Sequence, residues 1–158
     1  MRFALILLSL SLLVGCASNS LVNPNLQQPI EPTKAEVVGS KIVGEAGIPH
    51  QIYAGFVDGN QLRHVAVDQT LKVWPIEPGA HEFDVGYSGS TGKVFVRPFV
   101  AGGKIRAELK AGHRYIVKIR PAGDDSIVFY FQDSLDGSEA AVSQPVRLVD
   151  IPMPIIIP

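Results

Sequence analysis

The side chains of this 158-residue chain that are equipped for chemistry are four histidines, one cysteine and one pair of adjacent acids. Spacing decides what they can do. His50, His64, His81 and His113 form no H-x-H, H-E-x-x-H or C-x-x-C group, so a metal site would have to be assembled from distant segments. His81 and His113 occupy equivalent places just after two glycine turns, in phase with the aromatic residues Phe83 and Tyr115. They read either as a paired-histidine site or as two turn caps at the rim of the domain, and the second reading is adopted. Ser88-Gly89-Ser90 lies in a glycine-rich turn with no helix after it, unlike the G-x-S-x-G elbow of a nucleophilic serine. Asp124-Asp125 sits in a turn where carboxylates are solvated rather than poised for acid–base work. Gly102-Gly103 is too short to cradle a phosphate, and Asp58-Gly59-Asn60 lacks the Asp-x-Asp-x-Asp spacing of a calcium loop. The sequence therefore predicts no enzyme, no catalytic residue, no metal and no cofactor.

Charge and aromatic placement offer weaker candidates. Arg97, Lys104, Arg106, Lys110, Arg114, Lys118 and Arg120 crowd the middle of the chain, mostly on the outward phase of two strands expected to be neighbours. Arg106, Arg114 and Lys118 could make a basic face for an acidic partner or for glycolipid phosphates, or simply a solvated face that discourages edge pairing. Trp74, Tyr53, Phe95 and Tyr130 are each read as out of phase with the core face, as a carbohydrate-binding surface would require. Nucleic acid is not an expected partner, because the formal net charge is −1 and no basic stripe could neutralise phosphates.

The elements that must position these groups are strands. Lys104–Lys110 puts Ile105, Ala107 and Leu109 on one face and four charges on the other, while Arg114–Arg120 turns Tyr115, Val117 and Ile119 inward. Glu82–Tyr87 alternates in the same way, and successive strand side chains point to opposite faces. Weaker runs are Val37–Val43, Gln51–Val57, His64–Val67, Leu71–Trp74, Lys93–Arg97, Ser126–Gln132 and Val146–Ile151. Turns are expected at Asp58-Gly59-Asn60, Ser88–Gly92, Gly102-Gly103 and Gly123-Asp124-Asp125. Only Asp133–Val142 could turn briefly into a helix. Residues 35–151 thus read as an all-β, antiparallel β-sandwich of about seven to nine strands.

Two segments share one design, an apolar residue, a glycine turn and then an aromatic strand: Ile76-Glu77-Pro78-Gly79 before Phe83, and Leu109-Lys110-Ala111-Gly112 before Tyr115. Pro78 and Gly79 suit the central positions of a type II turn. Leu109-x-x-Gly112-x-x-Tyr115 resembles the tyrosine corner of Ig-like and fibronectin-type sandwiches, where the hydroxyl bonds back to the chain as it crosses between sheets. The resemblance implies an Ig-like or transthyretin-like sandwich in which Tyr115 fixes that crossing.

Met1-Arg2 followed by the apolar run Phe3–Val14 describes a secretory signal, and it is shorter than the roughly 20 residues of a spanning helix. Leu13-Val14-Gly15-Cys16 resembles the lipobox of bacterial lipoproteins. That resemblance implies cleavage after Gly15, diacylglycerol on the Cys16 sulfur and an acylated new N-terminus. Cys16 is the only cysteine, so no intramolecular disulfide can form, and lipidation removes a thiol exposed to an oxidising compartment. Residues 1–15 are then the signal, 16–34 a lipidated flexible tether, 35–151 the sandwich and 152–158 a Pro/Ile tail that docks against it or offers an apolar strip to a partner. Eighteen tether residues at roughly 3 Å each could hold the domain up to about 50 Å from the bilayer.

By the same resemblance, Ala17-Ser18 in place of an Asp after the cysteine implies the outer membrane of a Gram-negative cell, with the domain on the periplasmic side. The chain is similar to small proteobacterial lipoproteins in which P-G-x-H and A-G-x-x-Y turns punctuate a β domain. Lipoproteins of secretion machines, that of type VI secretion included, share such an architecture, although no motif here points to that system. The expected function is a non-enzymatic, membrane-anchored module that works by contact with an envelope protein, the alternative being a module that binds carbohydrate or envelope glycolipid.

Overall fold

A computed structural model describes residues 23–44, 47–62, 68–92 and 97–152. Among these residues the chain forms β1 (Ala35–Val38), β2 (Ser40–Val43), β3 (Pro49–Val57), β4 (Asn60–Gln61), β5 (Val73–Ile76), β6 (Gly79–Thr91), β7 (Arg97–Leu109), β8 (Arg114–Pro121), β9 (Ser126–Asp133), β10 (Glu139–Val142), β11 (Val146–Arg147) and β12 (Val149–Asp150). They make two sheets of six strands. The first runs β10-β9-β8-β1-β5 with β11 beside β9, and the second runs β12-β7-β6-β3-β2 with β4 beside β3. Every pairing is antiparallel except β1 with β8, which is parallel.

The architecture is the all-β sandwich expected. The strand count is higher than seven to nine because β4, β11 and β12 are two-residue pieces that alternation in a sequence cannot signal. Of the weaker runs, His64–Val67 lies outside the described residues, as does all of Lys93–Arg97 except Arg97.

Alternation works because each sheet buries one face. Phe83, Val85 and Tyr87 from β6, Ile105, Ala107 and Leu109 from β7, Tyr115 and Val117 from β8 and Phe129 and Phe131 from β9 all point into one core. The sheets meet ring to ring where Phe83 and Phe131 pack edge-on at 5.0 Å and 85°. That T-shaped geometry sets the positive edge of one ring against the negative face of the other. Among the described residues no helix is long and apolar enough to cross a membrane.

The chain passes between sheets where the sequence placed its glycines. Lys110 N–H donates to the Tyr115 hydroxyl at 3.0 Å while the chain leaves β7 in the second sheet and enters β8 in the first, so the corner motif fixes a crossing. Gly112 adopts φ 73° there and Gly79 φ 129° at the equivalent turn after Pro78. The run read as a single strand from Val37 to Val43 is broken at Gly39, where β1 ends and β2 joins the other sheet. A Cβ on Gly39 would lie 2.3 Å from the Ile52 carbonyl oxygen and 2.5 Å from that of Thr70, so only glycine fits.

Other expectations are corrected. Gly102-Gly103 is not a turn but the middle of β7, with Gly102 opposite Gly86 and Gly103 opposite Val85. A Cβ at Gly103 would approach the Val146 and Phe129 side chains to 3.1 and 3.3 Å, so packing, not turning, excludes larger residues. Ser88–Thr91 is not a turn but continues β6, paired through Thr91 with Arg97. Asp133–Val142 forms a turn and β10 rather than a helical turn. Asp58 (φ 49°) and Gly59 (φ 78°) do close the β3–β4 hairpin, both central residues taking the left-handed values of a type I′ turn.

Candidate functional site

A cleft of about 730 Å³ opens at the end of the sandwich that carries the β8–β9 turn. Its floor is His50 from β3, Tyr87 from β6 and Phe99 from β7, all three buried. Their rings interlock, with His50 edge-on to Phe99 at 5.3 Å and to Tyr87 at 5.7 Å. Both glycines beside the imidazole are required for this packing, since a Cβ at Gly44 or Gly89 would fall within 2.6 Å of its atoms.

His50 sits here because a backbone ladder stops. If the register of Gln51 with Ser88 continued, Pro49 would face Ser90, and proline has no N–H to offer its carbonyl. The imidazole takes that place: Nε2 lies 2.9 Å from Ser90 O and 3.3 Å from Ser90 N, and it donates to the nearer carbonyl, which can only accept. Nδ1 must then accept, and it does so from the Tyr87 hydroxyl at 2.8 Å. Burial pushes the Tyr87 hydroxyl above its usual pKa, which keeps the proton that this bond needs. Both ring nitrogens of His50 are thereby engaged.

The lip is Ser90 and Thr91, and Leu148 and Val149 supply an apolar wall. The Ser90 hydroxyl is buried, with no hydrogen-bond partner among the described residues. Asp124, Asp125 and Asp150 stand on the rim with Arg147, whose guanidinium is 4.0 Å from Asp125. From sequence, Asp124-Asp125 read as solvated acids, Ser88-Gly89-Ser90 as a turn without a nucleophile and His50 as a histidine outside any metal motif. No local signal joins them, because five separate segments build the cleft.

The residues proposed from sequence do not converge. Arg106 is on the outer face of the second sheet, bound through Nε to Glu82 at 2.8 Å, whereas Lys118 lies half-buried in the first sheet. The two strands expected to be neighbours, β7 and β8, belong to different sheets, so no single basic face exists. Arg114 is buried, 2% exposed. Its guanidinium donates to Glu36 at 2.6 Å and to the carbonyls of Leu26 and Gln28 at 2.9 and 3.0 Å.

Trp74 faces inward. It pairs with Val37, which in turn pairs with Tyr115, and it packs on the core with the Lys72 ammonium 3.9 Å from its ring centroid. Tyr130 pairs with Lys118 across the first sheet, Tyr53 covers Gly86 in the second, and Phe95 lies outside the described residues, so these aromatics form no common platform. His81 and His113 belong to different sheets, His81 bonding Asp58 and the Glu77 carbonyl and His113 bonding Asp133. His64 and Cys16 are outside the described residues. No group of three His, Cys, Asp or Glu is placed to hold a metal ion among the described residues.

Residues 23–34 differ from the free tether expected through Lys34. Asn23 and Asn25 donate side-chain N–H groups to Leu71 O at 3.1 and 2.8 Å, and Asn23 caps a 3₁₀ turn at Pro24–Gln27. Arg114 then holds two carbonyls of the segment, and Glu31 N–H reaches Glu36 at 3.2 Å.

The β3–β4 hairpin gives a pH prediction. Asp58 accepts from Glu82 N–H at 2.9 Å and binds His81 at 2.6 Å, which together hold its carboxyl below the usual range. A depressed folded-state value means this stabilisation is complete above the unfolded value of about 3.9 and is lost as pH falls through the folded one. Asp58→Asn is therefore expected to lower the thermal midpoint at about pH 7, with the gap to the parent narrowing as pH falls below about 3.9. A gap that does not narrow would assign the loss to something other than the carboxylate.

Comparison with models of known protein families, with characterised proteins and with solved structures finds no match to this chain.

Proposed function

We propose that the chain is the precursor of a lipid-anchored envelope protein, attached through Cys16, whose sandwich acts by contact with a protein partner rather than by catalysis. The observation that carries the anchoring is Leu13-Val14-Gly15-Cys16 directly after an apolar run. Its relation to the fastened segment adds to it. Six residues lie between Cys16 and Asn23, seven Cα-to-Cα steps that span roughly 25 Å at full extension. The sandwich would therefore ride close to the bilayer, not on the longer leash that a tether to Lys34 implies. Two acyl chains or more would hold it stably, each buried CH₂ contributing about 0.8 kcal/mol.

Contact with a protein is favoured by an apolar strip at one edge of the second sheet. Val149 on β12 pairs with Val100 on β7, and these two with Ile151 are 56, 37 and 44% exposed. Contiguous exposed apolar surface rimmed by polar residues is a mark of protein interaction sites.

The test expresses the full chain in a Gram-negative bacterium fed an alkyne analogue of palmitate. Label should appear on a membrane-bound, processed protein and vanish in Cys16→Ser; a label that persists in that variant, or never appears, overturns the anchoring. A photo-crosslinking residue at Val149 should give a discrete protein adduct in intact cells. Loss of the adduct against a matched site on β8 would count equally against protein contact.

A further inference from the structure

We infer that the cleft above His50 is a binding site for a small organic cation, a protonated amine carried on an apolar body. The reading is independent of how the protein is anchored. At about 730 Å³ the cleft falls within the roughly 300–1,000 Å³ of ligand pockets, and its composition is of that kind, an aromatic and aliphatic interior with a few polar groups at one margin.

Charge selects the ligand's sign. Three rim carboxylates face one guanidinium, and that guanidinium already leans toward Asp125. Asp124 and Asp150 have no cationic partner among the described residues. An anion would meet a net repulsion here and a cation a net attraction, strengthened by the low-dielectric walls beside it. Geometry then separates an organic cation from a metal ion. His50 has no lone pair left to give, and the carboxylates do not converge on a single point among the described residues.

Apolar bulk is called for by half-buried Leu148 on the cleft wall, which would otherwise present hydrocarbon to water.

The experiment uses the full chain, ¹⁵N-labelled and held in a non-ionic detergent, with three probes of one shape. These are 2-phenylethylamine, the neutral 2-phenylethanol and the anionic 3-phenylpropionate. Amide signals of Gly89, Thr91, Asp124 and Leu148 should shift saturably with the amine, less with the alcohol and not with the acid. The double variant Asp124→Asn, Asp150→Asn changes only exposed side chains and should weaken the amine by roughly fivefold, with the rest of the spectrum in place. Equal response to amine and alcohol, shifts away from these residues, no saturation, or undiminished binding by the double variant would each overturn the assignment.

Discussion

Arg114→Ala is expected to destabilise the folded protein by about 3–5 kcal/mol, the cost of leaving a buried charge without its partner. The side chains of Arg114 and Glu36 are 3 and 9% exposed, and the guanidinium spends its donors on one carboxylate oxygen and two carbonyls. Removing it strands Glu36 inside the protein and releases the carbonyls of Leu26 and Gln28 together. Urea unfolding measures the loss. The double variant Arg114→Met, Glu36→Gln separates charge from packing and should recover part of it, because neither group is then an uncompensated ion. If Arg114→Ala unfolds with parental stability, the segment from residue 23 to residue 34 is held by other contacts.

Phe131→Ala should cost a similar amount, about 3–5 kcal/mol, through a different mechanism. Phe131 is fully buried, edge-on to Phe83 from the opposite sheet and 6.3 Å from Tyr115 beside the corner. Truncation removes its transfer energy and leaves a hole that neither flanking strand can close, since β8 and β10 pair with β9 on either side. The urea midpoint should fall with an unchanged slope, the mark of lost stability without lost compactness. Leu135→Ala, at a residue 61% exposed, serves as the contrast and should shift stability by no more than about 0.5 kcal/mol.

The fold was legible where one face of a strand is buried and the other is not. β6, β7 and β8 alternate cleanly for that reason, and the tyrosine corner gave the crossing between β7 and β8. The same corner contradicted the shared basic face, because strands joined by it cannot lie side by side. Arg114 shows what alternation cannot reach. Its phase on β8 is outward, as read, but the Leu26–Gln28 segment covers that face, and nothing local to β8 announces a covering layer. Trp74 was misread because four residues containing a proline carry no usable phase, which its pairing with Val37 sets instead. Gly102-Gly103 looked like a turn because glycine serves two purposes, backbone freedom and close approach, and only the neighbours Phe129 and Val146 decide between them. The cleft was invisible for the same kind of reason. His50, Ser90, Asp124 and Arg147 become neighbours only after non-adjacent strands have paired.

The parallel pairing of β1 with β8 has a consequence for biogenesis. Glu36 and Arg114 are 78 positions apart, so β1 leaves the ribosome long before its partner exists. At translation speeds of about 5–20 residues per second the wait is roughly 4–16 s. During that interval an apolar strand is on offer to any other chain, and its one early neighbour, β5, covers a single edge. Newly made molecules should depend on a holding chaperone until β8 is complete, more heavily than the stability of the finished sandwich would suggest.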